Sequence, residues 1–233
     1  MTTLVLLHGA WHGAWCWEPF LQALEGTGLR GLALDLPSEE PAADAARHAA
    51  VVERAVAGLD DDLVVVPHSL AALYAPVVAS RIGARGIVNL AALTPQPGSS
   101  GLAQAKALPP IYTEPYRTAP MTRHDDGSTS VPAEIGRELM YHDVDAATAA
   151  RAQSRLRRQF WRTWTEPCPV DRWPDLAYAH VACTDDRVLG AEGMQDGAER
   201  TGAPLTWIPG GHIPMMSHPQ EAVAAVVAAT AAG

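Results

Sequence analysis

The sequence predicts an α/β protein: one domain on a mostly parallel sheet of about six strands, flanked by helices. Three observations carry this. Short apolar runs alternate with helix-length segments, the rhythm of a sheet covered on both faces. One run, Leu63–Val66, is apolar at every position, as a strand buried on both faces should be. The 233 residues, 48% hydrophobic and 18% charged, suffice to bury a full core.

In chain order, Leu4–Leu7 reads as the first strand. Trp17–Glu25 reads as a helix stopped by Gly26 and Gly28, and Leu32–Leu36 as the second strand. Ala42–Ala57 is a long helix ended by Gly58, and Leu63–Val66 is the third strand. Leu70–Ile82 reads as a helix that Pro76 bends, since proline removes one backbone donor. Ile87–Leu90, Tyr178–Cys183 and Leu205–Ile208 complete the strands, and Pro219–Ala231 is the last helix.

Between Thr94 and about Thr165 the rhythm breaks, with no strand candidate. Pro95, Pro97, Gly98, Pro109, Pro110, Pro115 and Pro120 punctuate its first half, and His124–Ser130 reads as a polar turn. Two helices follow, Pro132–Tyr141 and Asp145–Phe160, with Asp145 as N-cap. The expected organisation is therefore a core of residues 1–94 and 166–233, with residues 95–165 inserted as a helical lid above a site.

Composition excludes several function classes. A net charge of −9 argues against nucleic acid, which needs a basic face. Arg151, Arg155, Arg157, Arg158 and Arg162 would spread around a helix as a solvated face. Cys16, Cys168 and Cys183 lack metal-ligand spacing and are odd in number, so free thiols in a reducing, cytoplasmic setting are expected. A strand starting at Leu4 leaves no room for a signal peptide, and the apolar run 222–232 is too short to span a bilayer, so no membrane association is expected.

The most informative stretch is Val64-Val65-Val66-Pro67-His68-Ser69-Leu70-Ala71-Ala72. A buried strand runs into a helix with a serine at the turn, the setting that lifts a nucleophilic hydroxyl clear of the backbone. Small residues are needed two before and two after such a serine. Ala71 meets the need, whereas Pro67 replaces the usual glycine. Two distant features reinforce Ser69. An acid pair, Asp185-Asp186, follows the Tyr178–Cys183 run, and Pro209-Gly210-Gly211-His212 follows Leu205–Ile208. Serine, acid and histidine thus stand in the order of α/β-hydrolase triads, each at the carboxyl end of an expected parallel strand. His8-Gly9-Ala10-Trp11 follows the first strand. That loop and the residue after the nucleophile would give the Ala10 and Leu70 N–H groups as oxyanion donors.

Leu4–Trp17 (LVLLHGAWHGAWCW) resembles the opening of the α/β-hydrolases that include plant methyl-ester esterases, salicylate-binding esterases, hydroxynitrile lyases and related bacterial esterases. Further points of likeness are PHSLAALYAP, ELMYHD at 138–143, ACTDDRVL at 182–189 and PGGHIPMMSHP at 209–219. The resemblance implies the α/β-hydrolase fold, with the lid inserted after that fold's sixth strand, and it places the triad acid on Asp186 rather than Asp185. The lyases of the group carry threonine after the first histidine and lysine after the catalytic histidine. Gly9 and Ile213 stand there, and Lys106 is the sole lysine, so the likeness favours the esterases.

The expected activity is cleavage of a small, largely apolar carboxylic ester through an acyl-enzyme on Ser69, with His212 as general base and Asp186 orienting it. Trp11, Tyr112, Tyr141, Trp161 and Ile213 are the candidates for substrate contact. No metal or redox cofactor is implied, and the expected partner is the ester alone, with the insertion's apolar surface compatible with a homodimer. The alternative is a hydrolase-fold protein with a non-hydrolytic role, as a biosynthetic cyclase or lyase or a ligand-binding protein. Epoxide or haloalkane hydrolysis would need aspartate where Ser69 stands.

Overall fold

The computed structural model describes residues 1–106 and 110–232; Pro109 lies outside them. Eight strands occur among these residues: β1 (Thr2–Leu7), β2 (Arg30–Leu34), β3 (Asp62–Ser69), β4 (Gly86–Ala92), β5 (Thr122–Arg123), β6 (Thr129–Ser130), β7 (Ala177–Cys183) and β8 (Leu205–Ile208). Six form one sheet in the order β2-β1-β3-β4-β7-β8, all parallel. Every one of the six expected core strands is present.

Alternation along the strands divides the core into two layers. Leu4, Leu6, Val64, Val66, Val88 and Leu90 face one side, against Phe20 of helix Glu18–Leu24 and Val226 of helix Pro219–Ala232. Val5, Leu7, Leu63, Val65 and Ile87 face the other, against helices Ala45–Val56 and Ala75–Ile82. Burial on both faces explains why these strands read as unbroken apolar runs. Asp44 caps Ala45–Val56, accepting from the Arg47 N–H, which starts that helix later than Ala42.

The structure departs from the sequence reading where local chemistry outweighs periodicity. Leu70–Ile82 is not one bent helix: a 3₁₀ turn, Leu70–Leu73, ends at Tyr74, and Pro76 opens a separate helix in its first turn. Helix Ala191–Thr201 escaped the reading because Gly193 and Gly197 weaken its propensity. Both are needed for packing, since a Cβ at Gly193 would lie 2.6 Å from Ile111 Cα and one at Gly197 would overlap Thr94.

The segment between β4 and β7 differs most. His124–Ser130 closes a two-stranded hairpin of β5 and β6 rather than a plain turn. The Asp145–Phe160 helix stops at Ser154, so the arginines do not ring a helix. Arg155 pairs with Glu18, Arg157 with Glu39, Arg158 with Asp126 and Arg162 with Glu166. Cys16, Cys168 and Cys183 are buried free thiols. Among the described residues no helix is long and apolar enough to cross a membrane.

Candidate active site

β3 extends through Pro67 to Ser69, three residues beyond the apolar run. Pro67 pairs with Leu7, the last residue of β1, while the ladder to β4 has no pair at Val66 or Pro67, between Val65–Ile87 and His68–Leu90, where the donor that proline lacks would fall. At Ser69 the backbone turns abruptly, with φ 52° and ψ −120°, a conformation few non-glycine residues adopt. The register to β4 slips between His68 and Ser69, and the Leu93 N–H closes the turn on the Ser69 carbonyl at 3.3 Å. The room such an elbow needs comes partly from across it: a Cβ at Gly9 would stand 2.7 Å from His68 Nδ1 and 2.9 Å from Ser69 Cβ. The lyase-type threonine would not fit there.

The three polar groups expected at strand ends converge. His212 Nε2 lies 3.0 Å from Ser69 Oγ, and His212 Nδ1 lies 2.9 Å from Asp186 Oδ2. A carboxylate only accepts, so Nδ1 carries the proton and Nε2 presents its lone pair to the Ser69 hydroxyl. The second Asp186 oxygen accepts from the Val188 and Leu189 N–H groups at 2.8 and 2.9 Å. Asp185 instead faces solvent. His68 donates from Nε2 to the His212 carbonyl at 2.7 Å, tying the elbow to the histidine loop.

The Gly210-Gly211 pair is packing, not slack. Gly210 has φ 105°, and a Cβ on it would overlap His218. A Cβ on Gly211 would lie 2.8 Å from His142 Cε1.

Successive peptides around Ala10 are each held. His8 Nδ1–H donates to the Gly9 carbonyl at 2.9 Å, and Leu36 N–H donates to His8 Nε2 at 3.0 Å. Since a trans peptide points its N–H away from its C=O, the first bond aims the Ala10 N–H. His12 Nδ1–H donates to the Ala10 carbonyl at 2.8 Å, and the Trp11 N–H reaches Gln159 Oε1 at 3.3 Å. Trp11 is thereby kept at φ 63°. Leu70, first residue of its turn, has an N–H with no intrahelical partner.

Burial lowers His8 to a pKa of about 3 and His12 to about 4, and holds His68 well below the ordinary value, so all three are neutral. Unfolded, each titrates near 6.5. Between there and about 4 the unfolded chain binds protons that the folded chain does not, so stability is complete above this window and lost as pH falls through it. The melting temperature should be level from about pH 7 to 8 and drop steeply toward pH 4, which thermal unfolding followed by circular dichroism will read.

Ala10, Trp11, His12, His68, Ser69, Leu70 and His212 border a cavity of about 20 Å³, which Tyr112, Tyr116, Met140, Trp161 and Val188 also line. Among the five residues expected to contact substrate, Trp11, Tyr112 and Trp161 reach this cavity. The other two do not. Tyr141 is buried with its hydroxyl on His12 Nε2 at 2.8 Å, and Ile213 is buried beside His212 without reaching the cavity wall. Both indoles, Trp11 and Trp161, donate to Thr129 Oγ1, at 3.0 and 2.9 Å. Thr129 and Gln159 escaped the sequence reading because nothing local marks them. His12, His142 and Asp143 lie within HGAWHG and ELMYHD, stretches that carried the family likeness but no role for these residues.

The model of the alpha/beta hydrolase family matches residues 4–226, and the chain belongs to that family. More particularly, it is similar to a carbendazim hydrolyzing esterase of Nocardioides sp. (strain SG-4G), 32% identical over 150 residues. That stretch covers 58% of this chain and 62% of the relative. Among solved structures, a pyrethroid hydrolase from Sphingobium faniae JZ-2 superposes with a TM-score of 0.83 at 20% identity, covering 100% of this chain and 99% of that one. Polyneuridine aldehyde esterase gives 0.82 at 17%, covering 99% of each chain, and a methylesterase from Arabidopsis 0.80 at 18%, covering 100% of each.

Proposed function

We propose that this protein is a serine hydrolase that cleaves a small, largely apolar carboxylic ester through an acyl-enzyme. The observation that carries the reading is the unbroken chain Ser69 Oγ, His212 Nε2, His212 Nδ1, Asp186 Oδ2, at 3.0 and 2.9 Å. Ser69 Oγ attacks the ester carbonyl as His212 Nε2 takes its proton, and the carbonyl oxygen becomes an oxyanion facing the Ala10 and Leu70 N–H groups. His212 returns the proton to the departing alcohol. Water, deprotonated by the same imidazole, then releases the acid and restores Ser69. The family and the esterase and hydrolase names of its relatives support this chemistry.

Tyr112, Tyr116, Met140 and Trp161 form an apolar, mostly aromatic wall from the inserted segment. A cavity of about 20 Å³ holds little more than one water, so residues 95–165 act as a lid that must yield to admit an ester. The wall suits acyl groups the size of acetate to benzoate. With p-nitrophenyl esters of increasing acyl length, kcat/KM should be highest for acetate to butyrate and fall about 100-fold by dodecanoate. Equal rates across the series would contradict a small substrate.

A further inference from the structure

Three consecutive side chains of the inserted segment reach three different loops of the site. Residues 140–144 connect helices Ala133–Leu139 and Ala146–Ser154, and the Val144 N–H folds back on the Tyr141 carbonyl at 3.4 Å. From this turn the Tyr141 hydroxyl meets His12 Nε2 at 2.8 Å. His12 is neutral with its proton on Nδ1, because Nδ1 faces the Ala10 carbonyl at 2.8 Å. The direction of both bonds is therefore determined: Tyr141 O–H to His12 Nε2, then His12 Nδ1–H to Ala10 O. Burial keeps the Tyr141 phenol protonated.

The next residue, His142, donates from Nε2 to the Asp185 carbonyl at 3.0 Å, beside Asp186. Asp143 Oδ2 accepts from the Gly211 N–H at 2.6 Å, one residue before His212, and lies 3.6 Å from His218 Nδ1. Gly211 carries no side chain where His142 and Asp143 press on it.

We propose that Tyr141, His142 and Asp143 are positioning residues that register the Ala10, Asp186 and His212 loops against one another. The proposal rests on the serine-hydrolase reading above. None of the three touches the reacting atoms; each acts through a neighbour that does. Misplacement at this distance from the chemistry costs rate rather than binding, because the oxyanion contact tightens only as the oxyanion forms.

The test compares wild type, Ser69→Ala, Tyr141→Phe, Asp143→Asn and Asp143→Ala. Two readouts are p-nitrophenyl acetate turnover and inhibition by phenyl trifluoromethyl ketone. Ser69 Oγ adds to that ketone's carbonyl carbon, His212 takes the proton and the oxygen becomes the bound oxyanion. Tyr141→Phe should lower kcat and weaken the ketone by about tenfold each while KM stays within about twofold. Asp143→Ala should lose about thirtyfold in kcat, and Asp143→Asn only about fivefold, since its amide oxygen still accepts from the Gly211 N–H. If Tyr141→Phe does not fold, Asp143→Asn, nearly equal in size to the native residue, decides on the same two constants. Folded Tyr141→Phe and Asp143→Asn with both constants within about twofold of wild type, beside an inactive Ser69→Ala, would overturn the positioning role alone. A wild type whose turnover equals that of Ser69→Ala would overturn the hydrolase reading, and the positioning role with it.

Discussion

Replacing Ser69 with alanine is expected to lower kcat for p-nitrophenyl acetate by about 10⁴-fold or more, with KM changed little. The alanine removes the atom that forms the acyl bond but leaves the cavity wall and the Ala10 and Leu70 N–H groups in place. What remains is the modest acceleration that binding and an oxyanion site give to attack by water. Stability should not fall in parallel. Position 69 sits at φ 52° whether it carries serine or alanine, so the backbone strain is unchanged. Steady-state kinetics beside thermal unfolding will separate the two effects, and a loss of activity accompanied by unfolding would not count for the nucleophile.

Asp186→Asn has the second-largest expected effect, about 10⁴-fold in kcat, for a reason specific to this site. One carboxylate oxygen accepts two backbone N–H groups, from Val188 and Leu189, while the other faces His212 Nδ1. An asparagine must keep its oxygen toward the two N–H donors, which turns its NH₂ toward Nδ1. That donor drives the imidazole proton to Nε2, the wrong tautomer for accepting the Ser69 proton. The fold should persist, because shape and the backbone bonds are kept. A kcat within tenfold of wild type would show that Asp186 does not orient His212.

Much of this site was legible in the sequence, for physical reasons that differ by residue. Ser69, Asp186 and His212 each stand at or just past the carboxyl end of a strand, and a parallel sheet delivers those ends to one edge. β1 and β3, buried on both faces, announce themselves as apolar runs, whereas the partly exposed edge strands β2 and β8 were legible from their place in the alternation. The departures cluster where contacts far apart in sequence decide the outcome. Gly193 and Gly197 looked unfavourable to a helix because their purpose, close approach to Ile111 and Thr94, is invisible locally. Gly210 and Gly211 likewise have a purpose invisible locally, leaving room for His218 and His142.

Tyr141 shows the same lesson at the site. Its aromatic ring and its place in the insertion suggested a substrate wall, yet its hydroxyl is spent on His12, whose partner is the Ala10 carbonyl. Pro67, the residue that fitted the serine turn least, is accommodated where the ladder to β4 is interrupted, between the Val65–Ile87 and His68–Leu90 pairs.

The central claim is that Ser69 is the nucleophile activated by His212. The most direct measurement is labelling of the folded protein with a fluorophosphonate, followed by proteolysis and mass spectrometry of the modified peptide. The expected result is a single adduct on Ser69, formed at a rate that falls about 10³-fold or more in His212→Ala. An adduct on any other residue, or one on Ser69 whose rate is unchanged without His212, would contradict it.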